Sequence, residues 1–200
     1  MQELENTPLI VAAGSLWGEA TQAAFLDALG DGSLPPAAFG RWLEQDYRFA
    51  RGLLSFQAVT AAKTPRPSHK PVLAGLAAID AELDWFENHL AQRGLSTDAP
   101  AHPVCRRYAD FLLATAYAQP FEVSLAVLFS VEACYLAAWS RLEAEGPYAE
   151  FISRWSGEGF ASYVRTLHEL TRRHPHPAQQ NAFEQTLRHE RDFWRMTWEG

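Results

Sequence analysis

The sequence is poor in lysine and has no excess of positive charge. Lys63 and Lys70 are the only lysines among 17 basic residues, and 24 acidic residues give a net charge of −7. Nucleic acids and anionic membrane surfaces both attract proteins through basic patches. We therefore expect neither nucleic acid nor a membrane as a partner.

Cysteine is equally scarce. Cys105 and Cys134 have no CxxC spacing, so no disulfide framework is expected. The first residues, MQELENTPLIVAAG, lack the basic start of a secretory signal, and no run of 18 apolar residues predicts a membrane span. These features predict a cytoplasmic protein.

Aromatic residues are abundant instead, with 12 Phe, 7 Trp and 6 Tyr in 200 residues. Proline and glycine separate segments of helix length, and alternating strand-like patterns are missing. The predicted helices cover residues 8–29, 36–63, 71–93, 103–118, 121–145, 147–173 and 178–198. We predict one all-α domain over residues 1–200, a bundle of about seven helices.

Three acidic residues interrupt the apolar stripes of these helices. Asp46 lies between Trp42 and Phe49 at helical spacing, and Glu132 and Glu190 occupy equivalent places on two later helices. Burying a carboxylate costs several kcal/mol unless it is paired or protonated. Each acid could meet an arginine or a helix N-terminus, or all three could converge on a polar ligand in an aromatic pocket.

Two tyrosines favour the second interpretation, in which the three acids converge on a polar ligand. Tyr108 lies on the apolar stripe of its helix, and Tyr135 lies one turn beyond Glu132. An aromatic cavity that holds carboxylates suits a small, flat, nitrogen-bearing heterocycle, because rings stack on it while a carboxylate accepts from its amino group. Glu-x-x-His pairs are missing, so we predict no metal site.

The segments QDY at 45–47, VEACY at 131–135 and ERDFWRM at 190–196 follow one another in an order and spacing that resemble the TenA family. This family includes thiaminase II and has a heme-oxygenase-like helical fold. The resemblance extends from about residue 15 to 198. It implies salvage of the thiamin pyrimidine, by deamination of an aminomethyl-pyrimidine or removal of its N-formyl group. It also implies no cofactor and a homo-oligomer, either a dimer or a tetramer.

The resemblance also suggests roles for single residues. Asp46 resembles the carboxylate that holds the pyrimidine, Tyr108 a tyrosine of the site, and Glu190 the acid/base glutamate of the last helix. Glu132 stands where the family usually has its catalytic cysteine. Cys134, two residues later, points about 200° away and does not replace it. The chain therefore resembles a glutamate-bearing branch, in which thiaminase activity is not expected because a carboxylate is a weaker nucleophile.

Phe49 and Trp155 stand where the family has tyrosines, and with Tyr108 and Tyr135 they are expected to enclose the pyrimidine. Our hypothesis assigns one of Glu132 and Glu190 as general base and the other as general acid. Two alternatives remain open at this point. The same fold could support an oxidase or a di-iron enzyme, or the chain could bind a pyrimidine without catalysis.

Overall fold

The computed structural model describes residue 4 and residues 6–200. Within that part of the chain every regular element is helical, so the predicted all-α class is confirmed. The α-helices are α1 (Pro8–Ala13), α2 (Ser15–Thr21), α3 (Ala24–Gly30), α4 (Pro36–Lys63), α5 (His69–Gln92), α6 (Pro103–Ala118), α7 (Phe121–Trp139), α8 (Ala149–Ser156), α9 (Glu158–Arg173) and α10 (Gln179–Glu199). Short 3-10 turns cover Arg66–Ser68 and Gly146–Tyr148.

Helix α7 forms the centre of the bundle. Every residue of α7 except Glu122 is buried, and α2, α4, α6, α8, α9 and α10 all pack against it. By length and composition α7 could cross a membrane, but 94% of the apolar window is buried inside the protein. Burial on all sides is typical of the core helix of a large bundle, and such a helix is apolar all round.

The two helices α4 and α6 have the bounds that the sequence predicts. Each begins with a proline in its first turn, where the missing N–H costs no hydrogen bond. Helix α4 stops before Thr64, which precedes Pro65 and is therefore held in an extended conformation. Helix α4 packs against both α5 and α6, so its apolar stripe lies between two walls of the bundle.

The predicted helix over 8–29 is wrong in its continuity, because the structure divides it into α1, α2 and α3. Gly14 has a φ of +57°, a backbone conformation that glycine tolerates and that ends α1. Gln22 and Ala23 are extended and end α2. The three short helices follow the surface of the bundle, and each contacts α10.

Two later predictions are also corrected. Helix α7 ends at Trp139 rather than residue 145, because the exposed residues beyond it have little apolar surface to bury, and propensity alone rarely sustains a helix. The predicted helix over 147–173 is broken at Gly157, which is extended and separates α8 from α9. Trp155 consequently lies in the last turn of the short helix α8.

Candidate functional site

All seven residues that the sequence singles out are buried, and five of them line one cavity. Asp46 and Phe49 come from α4, Glu132 and Tyr135 from α7, and Trp155 from α8. Helix α5 supplies the remaining wall. The structure therefore brings together residues that are up to 109 positions apart in the chain.

Tyr108 and Glu190 lie behind this cavity rather than in its wall. The Tyr108 hydroxyl donates a hydrogen bond of 2.5 Å to Oε1 of Glu190, and both side chains are 1% exposed. The Tyr108 ring contacts Phe49, with ring centroids 4.6 Å apart. Phe49 thus links the cavity to the two residues, which we call the deep pair.

Asp46 also has a phenol as its partner. The Tyr135 hydroxyl donates a hydrogen bond of 2.6 Å to Oδ1 of Asp46, and this bond joins α7 to α4. The Tyr135 ring stacks on Trp194 of α10 at 5.5 Å and meets Trp155 edge-on at 5.6 Å. Aromatic rings therefore pack around the phenol that holds Asp46.

Glu132 differs from both of these acids. It is 8% exposed and lines the cavity, yet no residue in the described part of the chain donates a hydrogen bond to its carboxyl group. Tyr163 of α9 has a buried hydroxyl without a hydrogen-bond partner among those residues, and burial and the charge of Glu132 both raise its pKa. A buried polar group without a partner is unusual in a native protein and calls for an explanation.

A third acid, which the sequence did not single out, lines the cavity. Glu82 of α5 lines the same wall. Its Oε1 accepts a hydrogen bond of 2.9 Å from the Trp155 indole and lies 3.5 Å from Nε of Arg154. We call Glu82, Arg154 and Trp155 the outer cluster, because the side chains of Glu82 and Arg154 are 18% and 32% exposed.

The signal for Glu82 was present in the sequence. It lies three residues after Ile79 and four before Phe86, and both of these are buried. This is the same interruption of an apolar stripe that identified the other three acids. Applied to α5, that criterion would have found it.

Burial dominates the acid–base properties of the site. Loss of solvent raises the pKa of Asp46 and of Glu132 well above the usual range, and the charges of Glu82 and Glu190 raise both further. Burial raises the pKa of Glu190 to about 8, against the opposing effect of the Tyr108 hydrogen bond. These three carboxyl groups hold protons at pH values where exposed acids are ionised.

Glu82 behaves differently, because a cation is near it. Burial raises its pKa, but the Arg154 guanidinium and the Trp155 indole both oppose that change. No basic residue contributes to the pKa of Asp46, Glu132 or Glu190 within the described chain. Burial is the larger effect, so the pKa of Glu82 stays above its ordinary value, but Glu82 is the one acid of the site whose charged form a cation favours among the described residues.

The cavity is small, with a volume of about 30 Å³, close to the share of one water molecule in the liquid. A larger groove of about 710 Å³ lies along α9, lined in part by Glu158, Arg165, Glu169 and Arg172. Those four charges already form ion pairs with one another. The small cavity, with its unpartnered acid, is the better candidate for a chemical site.

Other reactive groups contribute little at this cavity. Cys134 is buried, does not line the cavity, and has a pKa raised well above the usual range by burial, so its thiol is a poor nucleophile. In residues 4 and 6–200, no group of three or more His, Cys, Asp and Glu side chains is arranged to hold a metal ion. Carboxyl and aromatic side chains are the functional groups that line the cavity.

Comparison with known proteins agrees with this geometry. The profile of the TENA/THI-4/PQQC family matches residues 12–200. The chain belongs to this family. The resemblance that the three segments suggested is confirmed, and the TenA relationship extends over all the helices that form the cavity.

Two sequence relatives have informative names. A probable bifunctional TENA-E protein of Glycine max is 25% identical over 91% of this chain and 88% of its own length. A thiamine biosynthesis multifunctional protein ThiED of Corynebacterium efficiens is 30% identical over 92% of this chain, which corresponds to 27% of that longer protein.

Solved structures show the same fold. A TenA homologue from Pyrococcus furiosus superposes with a TM-score of 0.90 at 24% identity, covering 95% of this chain and 98% of the other. A domain with a heme oxygenase-like fold from Shewanella denitrificans gives a TM-score of 0.74 at 13% identity, covering 96% and 91%. The predicted heme-oxygenase-like helical bundle is confirmed.

Proposed function

We propose that this TenA-family protein is a hydrolase of thiamin-pyrimidine salvage that cleaves a C–N bond of an aminomethyl- or formylaminomethyl-pyrimidine. Glu132 carries the proposal, because this buried carboxyl group lines the cavity and has no donor among the described residues. An aminopyrimidine supplies the N–H groups that such an acceptor requires. The thiamine biosynthesis name of the Corynebacterium relative supports the substrate class.

The proposed binding mode uses the walls of the cavity. Asp46, held by Tyr135, orients the pyrimidine through its ring nitrogen and exocyclic amino group. Phe49, Tyr135 and Trp155 enclose the ring. Because typical ligand pockets measure about 300 Å³ or more, side chains of the 30 Å³ cavity must move to admit the substrate. The side chains of Glu82 and Arg154 in the outer cluster are partly exposed, so we place the entry of the substrate on that side.

We assign Glu132 as the general base and Glu190 as the general acid. Glu132 lines the cavity, so it reaches a water molecule beside the substrate. A positive charge on the bound substrate lowers the pKa of Glu132 and converts it to the carboxylate form. Glu190, with a pKa of about 8, keeps its proton near neutral pH and donates it to the leaving nitrogen as the wall rearranges.

The proposed reactions balance with water as the only co-reactant. In deamination, water adds its oxygen to the methylene carbon, the C–N bond breaks, and the products are the hydroxymethyl-pyrimidine and ammonium. In deformylation, water adds its oxygen to the formyl carbon, the bond between that carbon and the nitrogen breaks, and the products are the aminomethyl-pyrimidine and formate. Both routes require a group that accepts a proton from water. In deformylation a second group donates a proton to the leaving nitrogen, and in deamination the protonated amine leaves as ammonia and takes up that proton once the C–N bond has broken.

The test measures the release of ammonia from the aminomethyl-pyrimidine and of formate from the formylaminomethyl-pyrimidine. We expect Glu132→Gln to lower turnover about 100- to 10,000-fold, as for the loss of a general base. The matched control is Glu122→Gln, at the other end of α7 and about 15 Å away along the helix. The control should keep wild-type turnover.

Three results would contradict the proposal. Wild-type turnover in both Glu132→Gln and Glu190→Gln would exclude the two carboxyl groups from catalysis. Calorimetric binding of the hydroxymethyl-pyrimidine without turnover of either substrate would indicate a binding or regulatory protein. Stoichiometric iron, together with oxygen-dependent consumption of substrate, would indicate the oxidative alternative.

A further inference from the structure

Glu82 is the acid of the cavity that the proposed mechanism does not use. It lines the wall beside Asp46 and Glu132, and its charge acts on both of them. Its side chain is 18% exposed, whereas the Glu190 residue is 1% exposed. Glu82 therefore lies where a ligand entering from the solvent first meets a carboxylate.

The contacts of Glu82 use one of its two oxygens. The Trp155 indole donates to Oε1, and the closest approach of Arg154 is to the same oxygen. No hydrogen bond from a residue in the described chain reaches Oε2. Since a carboxylate accepts about four hydrogen bonds through its two oxygens, Glu82 keeps unused acceptor capacity while Oε1 fixes its orientation.

The charge of Glu82 is also distinct within the site. Burial raises the pKa of Glu82, and Arg154 opposes that change by favouring the ionised form. The neighbouring acids Asp46, Glu132 and Glu190 have no such cation among the described residues. A second cation at Glu82 would complete its hydrogen bonds and compensate the like charges near it. A phosphate or carboxylate ligand would be repelled by the same group.

We propose that Oε2 of Glu82 binds the ammonium group of the aminomethyl-pyrimidine and makes this cationic compound the preferred substrate over the neutral formylaminomethyl-pyrimidine. The proposal rests on the proposed function and chooses between its two reactions. A primary aminomethyl group is protonated near neutral pH, whereas a formamide and a hydroxymethyl group are neutral. The hydroxymethyl product lacks the charge that Glu82 recognises, so it leaves more readily than the substrate.

The experiment compares three compounds that share the pyrimidine ring and differ in the charge of their side chain. The KM and kcat of the aminomethyl- and formylaminomethyl-pyrimidines are measured, with the Kd of the hydroxymethyl-pyrimidine. Glu82→Gln removes the charge but keeps an oxygen that accepts from Trp155. We expect it to raise the KM of the aminomethyl compound about 10- to 100-fold, the range of a hydrogen bond to a charged group. The KM of the formylaminomethyl compound and the Kd of the hydroxymethyl compound should change less than about threefold.

Asp84→Asn is the matched control. Asp84 is an exposed acid on the same helix, and it does not line the cavity. It removes the same unit of charge from the protein, so a general electrostatic effect would appear in both variants. The control should leave the KM of the aminomethyl compound, the KM of the formylaminomethyl compound and the Kd of the hydroxymethyl compound at their wild-type values.

Each outcome bears on one proposal. Unchanged constants in Glu82→Gln, or equal losses for charged and neutral compounds, would overturn the role of Glu82 in charge recognition. If the wild type turns over neither substrate, the hydrolase proposal fails; the role of Glu82 is then tested by the Kd values of the aminomethyl and hydroxymethyl compounds. If Glu82→Gln does not fold, Glu82→Asp is used instead, because its side chain is one methylene shorter and holds the charge farther from the ligand. This variant must raise the KM of the aminomethyl compound more than that of the neutral formylaminomethyl compound.

Discussion

The deep pair and the outer cluster place the same functional group in two opposite environments. Glu190 is enclosed with a phenol as its partner, and its pKa rises to about 8. Glu82 has an indole and a guanidinium beside it and retains contact with solvent. The difference teaches that partners and solvent, rather than the carboxyl group itself, decide how strongly each acid holds its proton. Helix α7 holds Glu132 between them.

The largest expected effect concerns the stability of the deep pair. The folded protein keeps the proton of Glu190 up to pH 8, whereas the unfolded chain loses it near pH 4.5. The folded state therefore binds more protons in this window, and its free energy of unfolding falls as pH rises from 4.5 to 8. Urea titrations should show a loss of about 2–3 kcal/mol between pH 5.5 and 7.5 from Glu190 alone.

Glu190→Gln should remove this contribution and make the dependence less steep, leaving the contributions of Asp46 and Glu132. Glu199→Gln is the control, since Glu199 is exposed on the same helix, and it should retain the wild-type slope. Equal slopes in the wild type and Glu190→Gln would show that Glu190 ionises in the folded state as an exposed acid does. The contrast between the deep and outer environments would then disappear.

Tyr108→Phe tests the partner in the deep pair. It keeps the ring that packs on Phe49 and removes the only hydroxyl that donates to Glu190 within the described chain. We expect the free energy of unfolding to fall by about 1–3 kcal/mol, the cost of an unsatisfied buried group. Because the hydrogen bond lowers the pKa of Glu190, the pH window of instability should extend upward.

The control for this variant is on the same helix. Tyr117→Phe removes a hydroxyl from a side chain that is 73% exposed, and it should change the free energy of unfolding by less than about 0.5 kcal/mol. If both variants are equally stable, the hydrogen bond in the deep pair contributes nothing to folding.

A third variant addresses the packing beside Glu132. Gly75 of α5 has no side chain, and a Cβ at that position would overlap the Tyr163 hydroxyl of α9. Gly75→Ala should cost about 1–2 kcal/mol net, because overpacking is partly offset by the better helix propensity of alanine. Adding Tyr163→Phe should restore part of the stability, and strictly additive effects of the two substitutions would contradict the contact.

The sequence predicted the elements whose signals are local. Proline at the first turn located α4 and α6, and apolar spacing located the acids Asp46, Glu132 and Glu190 on buried faces. It did not predict the break at Gly157, where an isolated glycine can either continue or end a helix. The sequence also did not predict the hydrogen-bond partner of each acid, because pairs such as Tyr108 and Glu190 depend on how distant helices pack.

The smallest expected effect concerns the outer cluster. Arg154→Gln removes a guanidinium that is 32% exposed and lies 3.5 Å from Glu82. Solvent screens such a pair, so the free energy of unfolding should fall by less than about 1 kcal/mol. The same loss should shrink further at 1 M salt, where the Debye length is about 3 Å. A loss larger than that of Tyr108→Phe would show that the outer cluster is as isolated from solvent as the deep pair, and the contrast between the two environments would then disappear.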